Sequence, residues 1–181
     1  MKFRFASAFA IPIVSLCSCG TNSFQDSRAI DNPMPNSAVE IIDKLAGDNP
    51  TSEDAFERFF SWYEDYWLMN DDLVGTLDTI PRPLREVVVT HQAFGYMSSE
   101  SPSEYYIRFE SVFDHEVELG MVQLGFLESA TTLSKGRRMF EASDDGDLTL
   151  EQDSEIYSKL PALEEVEDKI GRWLIQHANK D

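Results

Sequence analysis

The stretch PLREVVVTHQAFGYM, residues 83–97, decides the fold class. The β-branched triplet Val87-Val88-Val89 favours a strand locally. The segment is nevertheless long for a strand, and its apolar residues do not alternate with polar ones. Leu84, Val87, Val88 and His91 instead fall at helical spacing. Pro83 stands where proline suits a helix start, since its fixed φ and missing N–H cost nothing there. The reading is therefore a helix, with His91 as a hydrogen-bonded core residue on its apolar stripe.

The flanking sequence carries helix signals in both directions. Upstream, Ser37 and Glu40 have capping-box spacing. Ala38, Ile41, Ile42 and Leu45 follow at helical intervals, and Gly47 stands where a left-handed C′ residue belongs. Thr51 or Ser52 opens EDAFERFFSWYEDYWLMN, with Phe56, Phe59, Phe60, Tyr63 and Trp67 on one stripe, widened by Trp62 and Tyr66. A short helical turn is expected over Asp72 to Leu77. Downstream, Ser101-Pro102-Ser103-Glu104 is a second cap, leading into Tyr105, Tyr106, Phe109, Val112 and Phe113. Asp114 is expected to cap HEVELGMVQL, closed by Gly125. Phe126, Leu127, Ala130, Leu133 and Phe140 carry the next helix. The last follows Pro161, with Leu163, Val166, Ile170, Trp173 and Leu174. No alternating strands stand out. The expectation is an all-α, single-domain bundle of about six to eight helices joined by short connections.

The chain begins MKFRFASAFAIPIVSLCSCG. Lys2 and Arg4 precede an apolar run from Phe5 to Leu16, which has the length of a signal h-region and is too short to span a bilayer. Leu16, Ser18 and Cys19 resemble a bacterial lipobox, with leucine at −3, a small residue at −1 and the lipidated cysteine at +1. Choosing Cys17 as the +1 residue would put Leu16 where the peptidase needs a small side chain. The expected organisation is a lipoprotein signal peptide over 1–18, a lipid-anchored polar tether over 19–36 containing Pro33 and Pro35, and an acidic helical domain over 37–181. Two or three acyl chains on Cys19 make a stable anchor, since each buried methylene contributes ~0.8 kcal/mol and one chain alone binds marginally. The expected location is the cell envelope, at the outer membrane if the cell has one. An ordinary secretory signal and a buried N-terminal helix are the alternatives. Both cysteines of the chain lie here, so the processed protein would have no disulfide and no cysteine-based site.

The chain has 33 acidic and 15 basic residues, a net charge of −18. Two of those bases fall within 1–18, so the remainder has 33 acids against 13 bases, or −20. Such a surface repels nucleic acid and anionic headgroups and attracts basic partners. A hydrophobic content of 42% argues against disorder in the body of the chain. The three histidines, His91, His115 and His177, form no metal-spaced pair. Neither a phosphate loop nor a nucleophile elbow is present. SDDGDLTLEQDSE, residues 143–155, fails as an EF-hand loop in both registers. With Gly146 at position 6, Gln152 falls where a bidentate carboxylate is needed. With Asp145 and Asp147 at positions 3 and 5, Leu148 takes the glycine position. The stretch reads as a solvated acidic loop. No catalytic residue, metal site or cofactor is assigned.

From Met139 to Ser158 there are seven acids and no base. Like charges gathered this way weaken a fold by self-repulsion, which a basic partner would offset. The candidate partner-binding face is Glu141, Asp144, Asp145, Asp147, Glu151, Asp153, Glu155, Glu164 and Glu165. Three stretches resemble the bacterial DNA-mimic protein family: IPRPLREVVVTHQAFGYM, ELGMVQLGFLESATTLSKGRRMF and EIYSKLPALEEVEDKIGRWLIQH. They extend from about Ile80 to His177, with Leu119, Leu124, Gly125 and Ala130 matching the family's Leu…Leu-Gly…Ala pattern. Ala93-Phe94-Gly95-Tyr96 stands in place of its Asn-Gly-Gly-Phe segment. The resemblance implies an acidic all-helical domain whose carboxylates occupy the DNA-binding surface of a regulator. A lipoprotein outside the inner membrane could not reach such a regulator. The leading expectation is therefore a non-enzymatic, lipid-anchored acidic domain that binds a basic protein surface and does not bind nucleic acid directly. A cytoplasmic DNA mimic and an enzyme using dispersed carboxylates are the alternatives.

Overall fold

A computed structural model describes residues 36–48, 50–68, 77–109, 111–144 and 146–178. These lie in one compact unit, Pro33–Asp181. Cys19, the tether up to residue 35, Asp145 and the expected turn over 72–76 lie outside the described residues, as does the side chain of Trp67. The described residues form eight α-helices and no strand: α1 Asn36–Ala46, α2 Ser52–Leu68, α3 Leu84–Ser99, α4 Pro102–Phe109, α5 Asp114–Gln123, α6 Leu127–Glu141, α7 Leu150–Tyr157 and α8 Leu163–His177. The all-α expectation holds.

The helix ends follow local chemistry. Gly47 takes φ +67° and donates its N–H to Asp43 O at 3.0 Å, ending α1 as read from the sequence. Arg58 of α2 adds a tertiary cap, donating to Leu45 O at 3.1 Å and to Ala46 O at 2.6 Å. Thr51 and Asp54 open α2 with a reciprocal box, Asp54 N to Thr51 Oγ1 at 3.1 Å and Thr51 N to Asp54 Oδ2 at 3.2 Å. Gly125, at φ +87°, closes α5 in a Schellman arrangement. Its N–H reaches Val122 O at 3.1 Å, and Phe126 N reaches Met121 O at 2.8 Å.

Packing gives α3 the central place. The group α1, α2 and α8 packs together, with α3 against α8. On the other side α3 packs against α4 and α5, and α6 and α7 extend that group. A helix covered from two sides is apolar nearly all round. This accounts for the valine triplet: Leu84, Val87, Val88, Val89, Thr90, His91, Ala93, Phe94 and Met97 are all buried. The sequence stripe named only part of that surface.

Helical glycines set three close crossings. A Cβ on Gly171 of α8 would lie 2.6 Å from Ser52 C at the start of α2. One on Gly120 of α5 would lie 2.9 Å from Glu86 C of α3, and one on Gly136 of α6 would lie 2.7 Å from Ile156 Cδ1 of α7.

Five expectations are corrected. Val112 and Leu127, placed in apolar stripes, are 56% and 64% exposed. Val112 lies beyond the end of α4, and Leu127 is the first residue of α6, whose buried line begins at Ser129 and Ala130. Phe60 is also exposed, because the buried line of α2 runs through Ala55, Phe59 and Tyr63. Asp114 makes no cap, because its carboxylate is engaged by Arg137. The acidic stretch over 143–155 is only partly loop, since α7 begins at Leu150.

Candidate partner-binding face

The acidic stretch is organised by capping. Gly146, at φ +65°, turns the chain after α6. Ser143 Oγ accepts from Asp147 N at 2.9 Å and donates to Phe140 O at 2.8 Å. Thr149 and Gln152 then form a capping box for α7, with bonds of 3.3 Å and 2.9 Å. Gln152, which cannot supply the bidentate carboxylate of a calcium loop, thus completes the capping box that starts the helix.

Two of the nine expected face residues hold α4 in place. Asp147 Oδ1 accepts from Ser103 Oγ at 2.6 Å and from Leu148 N at 2.7 Å. Asp153 Oδ1 accepts from Ser103 N at 2.8 Å. The first turn of α4, with its free N–H groups and positive dipole end, is a natural place for carboxylates. Glu155 is paired with Lys159 at 2.7 Å. The Lys159 hydrogen bond, then the Lys159 charge and that of Lys135, hold Glu155 below the usual carboxylate range. Folding therefore brings two bases to a stretch that has none in sequence.

The remaining described members differ. Glu141, Asp144, Glu151, Glu164 and Glu165 are exposed and form no ion pair among the described residues. Glu151 lies in the first turn of α7, and Glu164 and Glu165 lie in that of α8, where the dipole favours them. Asp145 and Cys19 lie outside the described residues.

Three buried polar clusters went unread in the sequence, apart from His91. Arg137 donates through Nη2 to Asp114 Oδ1 at 3.1 Å, through Nε to Asp114 Oδ2, and through Nη1 to Tyr106 O at 3.1 Å. Its guanidinium lies 4.5 Å from the Tyr106 ring centroid. Burial raises Asp114, with Arg137 opposing it, and burial raises Tyr105 and Tyr106 beyond their ordinary value. The signal in the sequence was Arg137 continuing the Ala130–Leu133 spacing as a base on an apolar stripe. A second cluster joins Asp78, Arg82, Arg85, Glu86 and Glu116, with Arg82 Nε 3.1 Å from Glu86 Oε1 and Arg85 Nη2 3.1 Å from Glu116 Oε1. In the third, Tyr63 Oη bonds His91 Nδ1, and His91 Nε2 lies 3.5 Å from Glu167 Oε1. Burial raises Tyr63 well above the tyrosine range, so it stays neutral. The first and third clusters bridge helices in the packed interior, while Asp78 and Arg82 of the second reach solvent.

Two depressions among the described residues are open to solvent. One is lined by Glu57, Arg58, Ser61 and Trp62, the other by residues of α4, α6 and the turn at Gly146. Among the described residues no three His, Cys, Asp or Glu side chains converge as metal ligands, and no helix is long and apolar enough to cross a membrane. Comparison of the chain with protein-family models, characterised proteins and solved structures finds no match.

Proposed function

We propose that the chain is a non-enzymatic acidic interaction domain, presented at the cell envelope by a lipid on Cys19, that binds a basic protein surface. One observation carries this reading: five carboxylates from the end of α6 to the first turn of α8 are exposed and without an ion pair among the described residues. The net charge of −18 adds long-range attraction for a cationic partner. Asp147 and Asp153 hold α4 and Glu155 is paired with Lys159, while Glu141, Asp144, Glu151, Glu164 and Glu165 face outward.

Two measurements test the reading. Metabolic labelling with a fatty-acid analogue should mark the wild-type chain and leave Cys19→Ala unmarked. Association with a basic partner should weaken steeply as salt rises. It should also weaken when Asp144 and Glu151 are reversed to lysine. Salt-insensitive association would defeat the electrostatic reading. Unmodified full-length protein in the cytoplasm would defeat the anchor and leave the DNA-mimic alternative, testable by competition with DNA for a regulator.

A further inference from the structure

We propose that the depression between α4, α6 and the turn at Gly146 is the seat of the partner, and that its occupant is an apolar segment bearing lysine or arginine. This rests on the reading of the chain as an acidic interaction domain. The depression has a volume of about 340 Å³, and its walls include Tyr106, Ile107, Arg137, Phe140, Glu141 and Gly146. Ile107 is 48% exposed although it lies on α4 between buried Tyr106 and partly buried Phe109. Its apolar surface has no cover among the described residues.

Charge selects the occupant. Among the described residues Arg137 is the only base on these walls, and its guanidinium is engaged by Asp114 and by Tyr106 O. Its charge is balanced by the Asp114 carboxylate. Glu141 lines it without an ion pair among the described residues, and Asp144 and Asp147 lie within two positions of Gly146 in sequence. The field over an apolar floor is therefore negative. A lysine or arginine stem can lie along Ile107 and Phe140 while its cationic head meets Glu141. An uncharged apolar segment would leave Glu141 desolvated and unpaired, and an acidic one would be repelled.

The test uses the full chain and two synthetic peptides of equal length and charge, one alternating lysine with leucine and one alternating lysine with serine. Binding is followed by backbone amide NMR shifts and by titration. The lysine–leucine peptide should shift the amides of residues 106, 107, 140, 141 and 146 and bind about tenfold more tightly than the lysine–serine peptide. Ile107→Ser and Glu141→Lys should each remove most of that advantage. Glu164→Lys with Glu165→Lys, exposed in the first turn of α8 and not among the residues lining the depression, should preserve it. Equal binding of both peptides, insensitive to Ile107→Ser, would overturn the seat while leaving the acidic interaction domain standing. No binding of either peptide at low salt would overturn both. Concentration-dependent shifts at these residues without peptide would assign the depression to a second copy of the chain and overturn the basic occupant.

Discussion

Gly171→Ala offers the sharpest check on the packing. At an unhindered helix position this substitution stabilises, because alanine exceeds glycine in helix propensity by about 0.8–1.0 kcal/mol. Gly171 is not such a position. The added Cβ would lie 2.6 Å from Ser52 C and 2.9 Å from Ser52 Cα. Non-bonded carbons rest about 3.5–4.0 Å apart, so α8 and the first turn of α2 must separate by roughly 1 Å. The obstacle is backbone, which no rotamer change can move aside. The Ser52 Oγ to Asp168 Oδ1 bond, 2.7 Å long, crosses the same contact and would be disturbed with it. Overpacking costs about 1–3 kcal/mol and sometimes more, and a backbone clash belongs at the upper end. After subtracting the propensity gain, the net loss should be about 2 kcal/mol, or roughly 4–8 °C in Tm for a domain of this size. Gly95→Ala is the internal control, since a Cβ there meets nothing within 4 Å. It should raise stability by up to about 1 kcal/mol. Far-UV circular dichroism during urea and thermal unfolding reads both variants. A Gly171→Ala protein as stable as Gly95→Ala would refute the close crossing of α2 and α8.

Other outcomes follow from the same geometry. Asp147→Ala and Asp153→Ala should each lower stability by about 1–2 kcal/mol through loss of the α4 cap, whereas Glu164→Ala should change it by no more than about 0.5 kcal/mol; equal effects in urea unfolding would refute the division of the acidic face. Tyr63→Phe removes the hydroxyl bonded to His91 Nδ1 and should cost about 1–2 kcal/mol in the same assay. Asp168 is held below its ordinary value of 3.8, chiefly by the Ser52 hydroxyl and then by Arg172. A depressed folded value gives stability that is present above the unfolded pKa and lost as pH falls through the folded one. Asp168→Asn should therefore lose less stability than wild type as pH falls below about 4; parallel acid-unfolding curves would contradict the Ser52 bond.

The helices were legible because their signals are local. Gly47, Thr51 and Gly125 each end or start a helix through bonds to residues three or four positions away, so their roles can be read from neighbours alone. The burial of His91 was legible for the same reason, since helical spacing aligned it with Val87 and Val88. The helix beginning at Leu150 was obscured by acidity. Its capping box, Thr149 with Gln152, stood in plain view within a stretch that composition marked as loop. Val112 was misplaced because a stripe extrapolated past a helix end has no periodicity to support it, and Leu127 because the buried line of α6 begins only at Ser129 and Ala130.

By itself the sequence determined that this chain is helical, where most helices begin and end, and that its surface is strongly negative. These properties depend on bonds and charges counted along the chain. Only the tertiary structure decided that α3 is enclosed from two sides, that Asp147 and Asp153 serve α4 while Glu141 and Glu164 face water, and that Lys135 adds its charge to the local Lys159 in tempering Glu155. The reason is separation: Ser103 meets Asp147 across 44 positions and Asp153 across 50. A carboxylate's partner at that distance is set by how helices pack, which local spacing does not encode.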